Sequence, residues 1–357
     1  MNFTNDFNYL LDDIGEAFPK QIDGFRLLLQ RINEHDALNL NRESVSAREV
    51  LSEHITDPML IDMLFCPLMF YGSATPHDMD FNQFVIMFKS IFYEGFGRPF
   101  DGIRRILKQL VRHFKSLGGH LKLRTGVQEI VQRNGQASSV ILDDGTEIEA
   151  NNILSSAGAA ETMRMVDPSQ PVERPTPGDI SFVESISVLD REPADLGHNE
   201  TIVFFNDADE FHYERPDAPV DLRSGIICSP NNFDYSRPME DGRVRITALA
   251  DPDYWISLPE DEYQQRKMEW NDRIIEASMK HVPDFRAHVL DTDVFTPRTI
   301  RRFTGHDNGC VYGAPSKFVN GQTPVDNLYL CGTDQGFLGI VGAMLSGITI
   351  ANRYLLK

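Results

Sequence analysis

The sequence predicts a mixed α/β fold: a Rossmann-like nucleotide-binding domain, incomplete in its strands, with a sheet-and-helix domain inserted into it. Three observations point there. Residues 1–95 repeat apolar side chains at helical spacing, short strands broken by hairpin turns follow between 121 and 157, and the chain closes as strand, glycine turn and helix from Leu328 to Ala351.

The elements follow in order. Phe7, Leu10, Leu11, Ile14 and Phe18 recur on one helical face until Pro19 interrupts, and Phe25 to Ile32 continues the pattern. Ser44 to Leu51 and Pro58 to Phe70 predict two shorter helices. Phe81, Phe84, Val85, Phe88, Ile91 and Phe92 form a stripe ended by Gly95 and Gly97, which reads as core or as the wall of an apolar pocket. Phe70 and Tyr71, before Gly72, allow the same two readings. Ile103 to Leu117 predicts an amphipathic helix stopped by Gly118-Gly119. Strands are expected at Leu121–Leu123, Val127–Val131, Ser139–Leu142, Glu147–Glu149 and Asn152–Ser155, with hairpin turns at Asn134-Gly135 and Asp144-Gly145. Pro168, Pro171, Pro175 and Pro177 mark a linker. Beyond it come strands at Ile180–Leu189, Thr201–Phe205, Gly225–Cys228 and Arg243–Ala250, and a helix from Glu260 to about Met279.

At the C-terminus, Leu328 to Cys331 runs into Gly332, and a loop holding Gly336 and Gly339 leads to a helix from Gly342-Ala343 through Ser346 and Gly347. Such a turn brings bare amides and a helix N-terminus against an anion or a polar ring. This segment resembles the C-terminal flavin-binding signature of the phytoene desaturase, carotenoid isomerase and retinol saturase-like flavoproteins. Two further blocks extend the resemblance in the same order: Gly118 to Ile130, and Thr296 to Phe303 with Gly309 to Gly313. The resemblance implies FAD as cofactor and an oxidoreductase that transfers hydride at a carbon–carbon bond of an apolar substrate of carotenoid or retinoid type. It implies an incomplete Rossmann-like FAD-binding domain at 96–167 and 297–357, and a substrate domain split into a helical part (1–95) and a sheet part (168–296). Gly332, Thr333 and Asp334 would lie near the ribityl chain or pyrophosphate, with Gly-Thr-Asp standing where many members have Gly-Asp. Gly339, Ile340, Val341 and Gly342 would approach the isoalloxazine ring. Val127 matches the position whose backbone meets the adenine; a core-facing strand residue is the other reading.

The signature's usual partner, a strand followed by Gly-x-Gly-x-x-Gly, occurs nowhere in the sequence. Gly95-Phe-Gly97 is followed by Arg98, Pro99 and Phe100. The chain therefore reads as a piece of a longer flavoprotein, with a split subunit needing a partner, or a chain that has lost flavin binding, as the alternatives. A net charge of −19 argues against nucleic acid as partner. A cytoplasmic location is expected. Arg104, Arg105, Lys108, Arg112 and Lys115 on one helix are read as a solvated face, with peripheral membrane contact left open. The four dispersed cysteines fit no zinc or redox motif and read as reduced thiols, and no metal site is expected. His77, His113, His120 and His306 are isolated, so no acid–base residue is assigned. Flavin chemistry requires none, because the ring itself takes the hydride.

Overall fold

The computed structural model describes residues 1–37, 43–100, 102–166 and 174–356. The prolines at 168 and 171, and with them the expected start of the linker, lie outside these residues. The helical spacing of the first part becomes α1 (Phe7–Ala17), α2 (Ile22–Glu34), α3 (Ala47–Ser52), α4 (Pro58–Gly72) and α5 (Phe81–Phe88), the last continuing as a wider π turn over Lys89–Glu94. Side-chain oxygens stop four of them on the N-terminal side: Asp6, Ser46, Asp57 and Asp80 each accept from a backbone N–H of the first turn. Each such cap stabilises its helix by about 1 kcal/mol.

These helices cover a five-stranded antiparallel sheet. Its strands β5 (Ser181–Leu189), β6 (Ile202–Asn206), β7 (Ser224–Cys228), β8 (Gly242–Ala250) and β9 (Val289–Phe295) lie in the order β6-β7-β8-β5-β9. Period-two alternation sorts β5 between two cores. Phe182 joins Phe65, Phe70 and Phe84 on the α1–α5 side. Val183 and Leu189 join Trp255, Trp270 and Ile274 on the other, under α8 (Pro252–Ser257) and α9 (Glu260–Ser278). There Ser185 Oγ donates to Asn271 Oδ1 at 2.7 Å. The sheet is thus the middle of three layers.

The remaining part is smaller. After α6 (Arg104–Ser116) comes a ribbon of β1 (Val127–Arg133), β2 (Gln136–Leu142) and β3 (Glu147–Glu149). Its first hairpin turns on Asn134 and Gly135, both with positive φ (56° and 81°), as a type I′ turn requires. Then β4 (Ile153–Ser155) enters α7 (Ala159–Met165). Far along the chain, past α10 (Pro297–Thr304), β10 (Leu328–Leu330) returns to pair in parallel with β4 and enters α11 (Gly339–Ile350).

Several expectations need correction. No strand forms at Leu121–Leu123; both leucines are exposed (42% and 76%), and among the described residues no strand stands beside them to accept their hydrogen bonds. The last helix begins at Gly339 rather than 342, because Gly339 itself enters the first turn. Strand β9 was missed because its Asp291 and Asp293 look like loop, yet they sit on a sheet edge where charge is tolerated. Helices α7, α8 and α10 are too short for periodicity to declare.

Candidate functional site

The two parallel strands β4 and β10 pair in register, Leu328 with Ile153 and Leu330 with Ser155, so both C-terminal ends open on the same edge. That edge is where open α/β sheets bind ligands. Here the chain makes its turns with glycine in the left-handed region: Gly332 (φ 82°), Gly336 (98°) and Gly339 (71°). The N–H of Gly332 donates to Ser346 Oγ at 2.6 Å; Ser346 donates onward to Gln335 Oε1, and Gln335 Nε2 donates to the Val319 carbonyl at 3.1 Å. The turn is pinned from inside its own helix.

Asp334 is 1% exposed. Its carboxylate accepts from Ala159 N–H (2.5 Å), Ala314 N–H (2.8 Å) and the Lys317 ammonium (3.2 Å). One side chain therefore ties the start of α7, the loop before β10 and the glycine turn together. The close fit explains Gly313, where a Cβ would stand 1.9 Å from Asp334 Oδ1.

The first turn of α11 faces outward instead. Leu338 provides no side-chain cap, nothing lies within 4 Å of a Cβ built on Gly339, and Ile340 and Val341 are 49% and 69% exposed. Gly342 packs tightly, its built Cβ lying 2.9 Å from the Phe337 carbonyl carbon. Of the residues singled out from the sequence, Gly332, Thr333 and Asp334 share one turn, and Gly339, Ile340, Val341 and Gly342 share the next. Val127 stands apart, opening β1 in the ribbon, whose Ile130 and Ala137 pack with Val325 and Leu328 by the start of β10.

Against this turn lies a cavity of about 410 Å³. Its walls are the end of α4 with Ser73 and Thr75, the start of α5 with Asn82, Gln83 and Ile86, and the segments holding Lys317 and Gly336 to Leu338. Tyr312 fastens the two sides by donating its hydroxyl to the Phe70 carbonyl, and the Tyr213 hydroxyl donates to the Ser73 carbonyl at 2.8 Å. Phe70 itself is core, as are Phe84, Phe88 and Phe92; of the apolar residues of α5, it is Ile86 that reaches the cavity. Burial pushes the Lys317 ammonium below its ordinary range, opposed by Asp334. Neither Lys317 nor Gln83 carried a signal in the sequence, since a lysine after Pro315-Ser316 and a glutamine in a phenylalanine-rich helix match no motif.

Beside the Asp334 clamp, Glu161 and His306 form a second buried pair, with His306 Nδ1 3.4 Å from Glu161 Oε1 and the Asp307 N–H donating to the same oxygen at 2.7 Å. Pairing with the Glu161 carboxylate raises the His306 imidazole above its usual value. Burial alone would raise the Glu161 carboxyl, but His306 and the Asp307 amide together hold it below the usual range. Cys310 and Cys331, flanking this region, have thiols pushed up by burial, Cys310 to about 12, which disfavours thiolate chemistry at either.

A profile of FAD-dependent oxidoreductases matches residues 101–353, well over half of the chain. Prolycopene isomerase of Arabidopsis thaliana is 24% identical over 327 residues, 86% of this chain and 54% of that protein. All-trans-retinol 13,14-reductase of Danio rerio is 24% identical over 308 residues, 74% of this chain and 51% of that protein. The chain thus spans about half the length of the curated relatives it matches. Among solved structures, an oxidoreductase from Methanosarcina mazei superposes with a TM-score of 0.62 at 16% identity, over 98% of this chain and 75% of its own. Putrescine oxidase bound to putrescine does so at 0.55 and 14% identity, over 100% and 77%. Likeness at such identities attests the fold.

Proposed function

Since the chain belongs to the FAD-dependent oxidoreductases, we propose that it acts by hydride transfer at a carbon–carbon bond of an apolar substrate, of the carotenoid or retinoid kind. The observation that carries this reading is the cavity lying directly against the glycine turn, between the helical layer and the segment from Gly336 to Leu338 that leads into α11. Prolycopene isomerase and all-trans-retinol 13,14-reductase, named for such molecules, support the substrate class.

The residues at the turn fit the flavin-facing side of the cofactor. Positive φ at three glycines keeps side chains clear, the space beyond Gly339 is open, and the uncapped N-terminus of α11 favours negative charge. Gly332, Thr333 and the turn from Gly339 to Gly342 would hold it. Asp334 would act from inside the protein, because its oxygens are already bonded to Ala159, Ala314 and Lys317. When bound, the flavin supplies the hydride acceptor or donor. The chain's own part is to orient the substrate between α4, α5 and the turn and to exclude water. The test is the visible spectrum of the purified protein titrated with FAD; absence of a bound flavin band at saturating FAD would overturn the proposal for this chain alone.

A second reading is favoured by specific observations: the chain holds flavin only together with a segment or partner that carries Gly-x-Gly-x-x-Gly. Among the described residues β4 pairs only with β10, leaving one edge open. No residue of α6 is buried, and its Leu107, Leu110 and Phe114 are exposed together with Ile340, Val341 and Leu345 of α11. These are the surfaces a further parallel strand and helix would cover. Flavin binding restored by adding such a partner would establish this reading over the first. No helix among the described residues is long and apolar enough to cross a membrane. Peripheral contact would use the basic flank of α6, and vesicle flotation with and without anionic lipid tests it.

A further inference from the structure

The α1–α5 layer seals only part of its face of the five-stranded sheet. Phe182, Ile226 and Leu249 are buried there. By the same alternation Glu184, Ile186 and Val188 of β5, Arg243 and Arg245 of β8 and Cys228 of β7 point the same way. The register stands Arg245 between Ile186 and Cys228. The sealed core stops at this row, where Ile186, Val188 and Cys228 are half-buried. Tyr71, near the end of α4, forms the rim: its ring packs on Phe204 of β6 and on Phe96, both at 5.5 Å. Phe100 meets Tyr235, beyond β7, at 5.2 Å. Arg98 is thus held midway between two aromatic anchors. Burial pushes the Cys228 thiol up, and the guanidinium groups of Arg245 and Arg98 oppose it, which sets both near Cys228.

The charges of this face cancel, with one exception. Arg245 Nε donates to Glu184 Oε1 at 2.6 Å, and Arg243 Nη2 donates to Asp241 Oδ1 at 3.0 Å. Arg98 meets no carboxylate and no hydrogen-bond acceptor among the described residues. Its Nη1 is sealed from solvent, but its other two nitrogens are not, and the residue as a whole is half-buried. The Tyr71 hydroxyl is likewise unsealed and has no hydrogen-bond partner among the described residues. A part-buried cation without a counter-charge is costly. It is the more unusual in a chain whose acidic residues outnumber its lysines and arginines by 53 to 34. Unpaired charge of this kind marks a ligand site. We propose that this end of the sheet binds an apolar carboxylate, Arg98 pairing with the head group through its accessible nitrogens and the Tyr71 hydroxyl donating a second hydrogen bond. Tyr71, Phe96, Ile186 and Val188 supply the apolar surroundings. Glu184 stands on the same face and repels a second negative charge, so a monocarboxylate is preferred to a phosphate monoester. Nothing in this site requires a flavin.

The probe is cis-parinaric acid, a tetraene fatty acid that fluoresces when bound, titrated into the purified chain beside its uncharged methyl ester. The chain should bind the acid more tightly than the ester. Arg98→Met should weaken the acid about 10–50-fold and leave the ester within about twofold, because a charge-assisted hydrogen bond is lost. Arg98→Lys should recover part of the loss, and Tyr71→Phe should weaken the acid about 3–5-fold. Lys20→Met, at an exposed cation between α1 and α2, should change neither. The inference is overturned if the chain does not prefer the acid, or if Arg98→Met weakens acid and ester alike or neither. It is overturned equally if Lys20→Met reproduces the Arg98 effect, or if dodecyl phosphate displaces the probe better than dodecanoate. Should Arg98→Met fail to fold, Glu184→Gln serves: it frees Arg245 and removes a repelling carboxylate, so the acid should bind about 3–10-fold more tightly. No tightening there would overturn the site.

Discussion

Replacing Asp334 tests whether the glycine turn is held from inside. Asp334→Ala removes three accepted hydrogen bonds at once and leaves the Ala159 and Ala314 amides and the Lys317 ammonium buried, Lys317 keeping only the Tyr312 carbonyl. Each stranded amide costs about 1–3 kcal/mol. Breaking a buried pair by removing one partner costs about 3–5 kcal/mol. These do not add in full, because the lysine can shed its proton, an escape that burial has already brought nearer. A net loss of about 3–6 kcal/mol is expected, a large part of the roughly 5–15 kcal/mol that stabilises a typical domain. Urea unfolding followed by far-ultraviolet circular dichroism, without added flavin, measures it. Lys317→Met placed on Asp334→Asn should recover part of the loss, since it removes the stranded charge. A cost below about 1 kcal/mol for Asp334→Ala, or strictly additive effects of the two substitutions, would refute the clamp and return Asp334 to a direct role at the cofactor.

The other expectations are briefer. His306 is raised by Glu161, so its contribution to stability is present below its ordinary value of 6.5 and is lost as pH climbs through the folded value. Glu161 is lowered, so its contribution is present above 4.5 and is lost as pH falls through its folded value. The pair therefore stabilises most between about pH 4.5 and 6.5, and His306→Gln should flatten the decline on the alkaline side of an unfolding-against-pH curve. Gly339→Val forces a branched side chain to φ 71° in the open space of the turn. Flavin content of the FAD-saturated protein should fall by an order of magnitude or more, with melting in the absence of flavin lowered only slightly; unchanged content would misplace that loop. Gly24→Ala puts a Cβ 2.0 Å from the His54 carbonyl, where α2 crosses the segment between α3 and α4. It should cost about 1–3 kcal/mol by overpacking, and an unchanged midpoint in urea would contradict that crossing.

Much of the fold was legible because side-chain period is a local property. The phenylalanine stripe of α5, the alternation of β5 and β8, and the Asn134-Gly135 turn each declare themselves within a few residues. The glycine turn was legible for the same reason: left-handed backbone at Gly332, Gly336 and Gly339 nearly demands glycine. What stayed hidden depends on neighbours distant in sequence. Leu121 and Leu123 look like a strand, but a strand exists only where another can bond to it. Strand β9 looks like loop until β5 pairs with it.

For the site, the division is similar. The sequence by itself determined where the glycine turn would lie and to which group of flavoproteins it is similar, because those features rest on backbone conformation and on contiguous residues. Only the tertiary structure decided that Asp334 points inward to Ala159, Ala314 and Lys317, and that Gln83, some 230 residues before Lys317 in the chain, shares a cavity with it. The physical reason is that burial and hydrogen-bond satisfaction belong to three-dimensional neighbourhoods. A carboxylate or an amide has no fixed role until packing decides which donors and acceptors surround it.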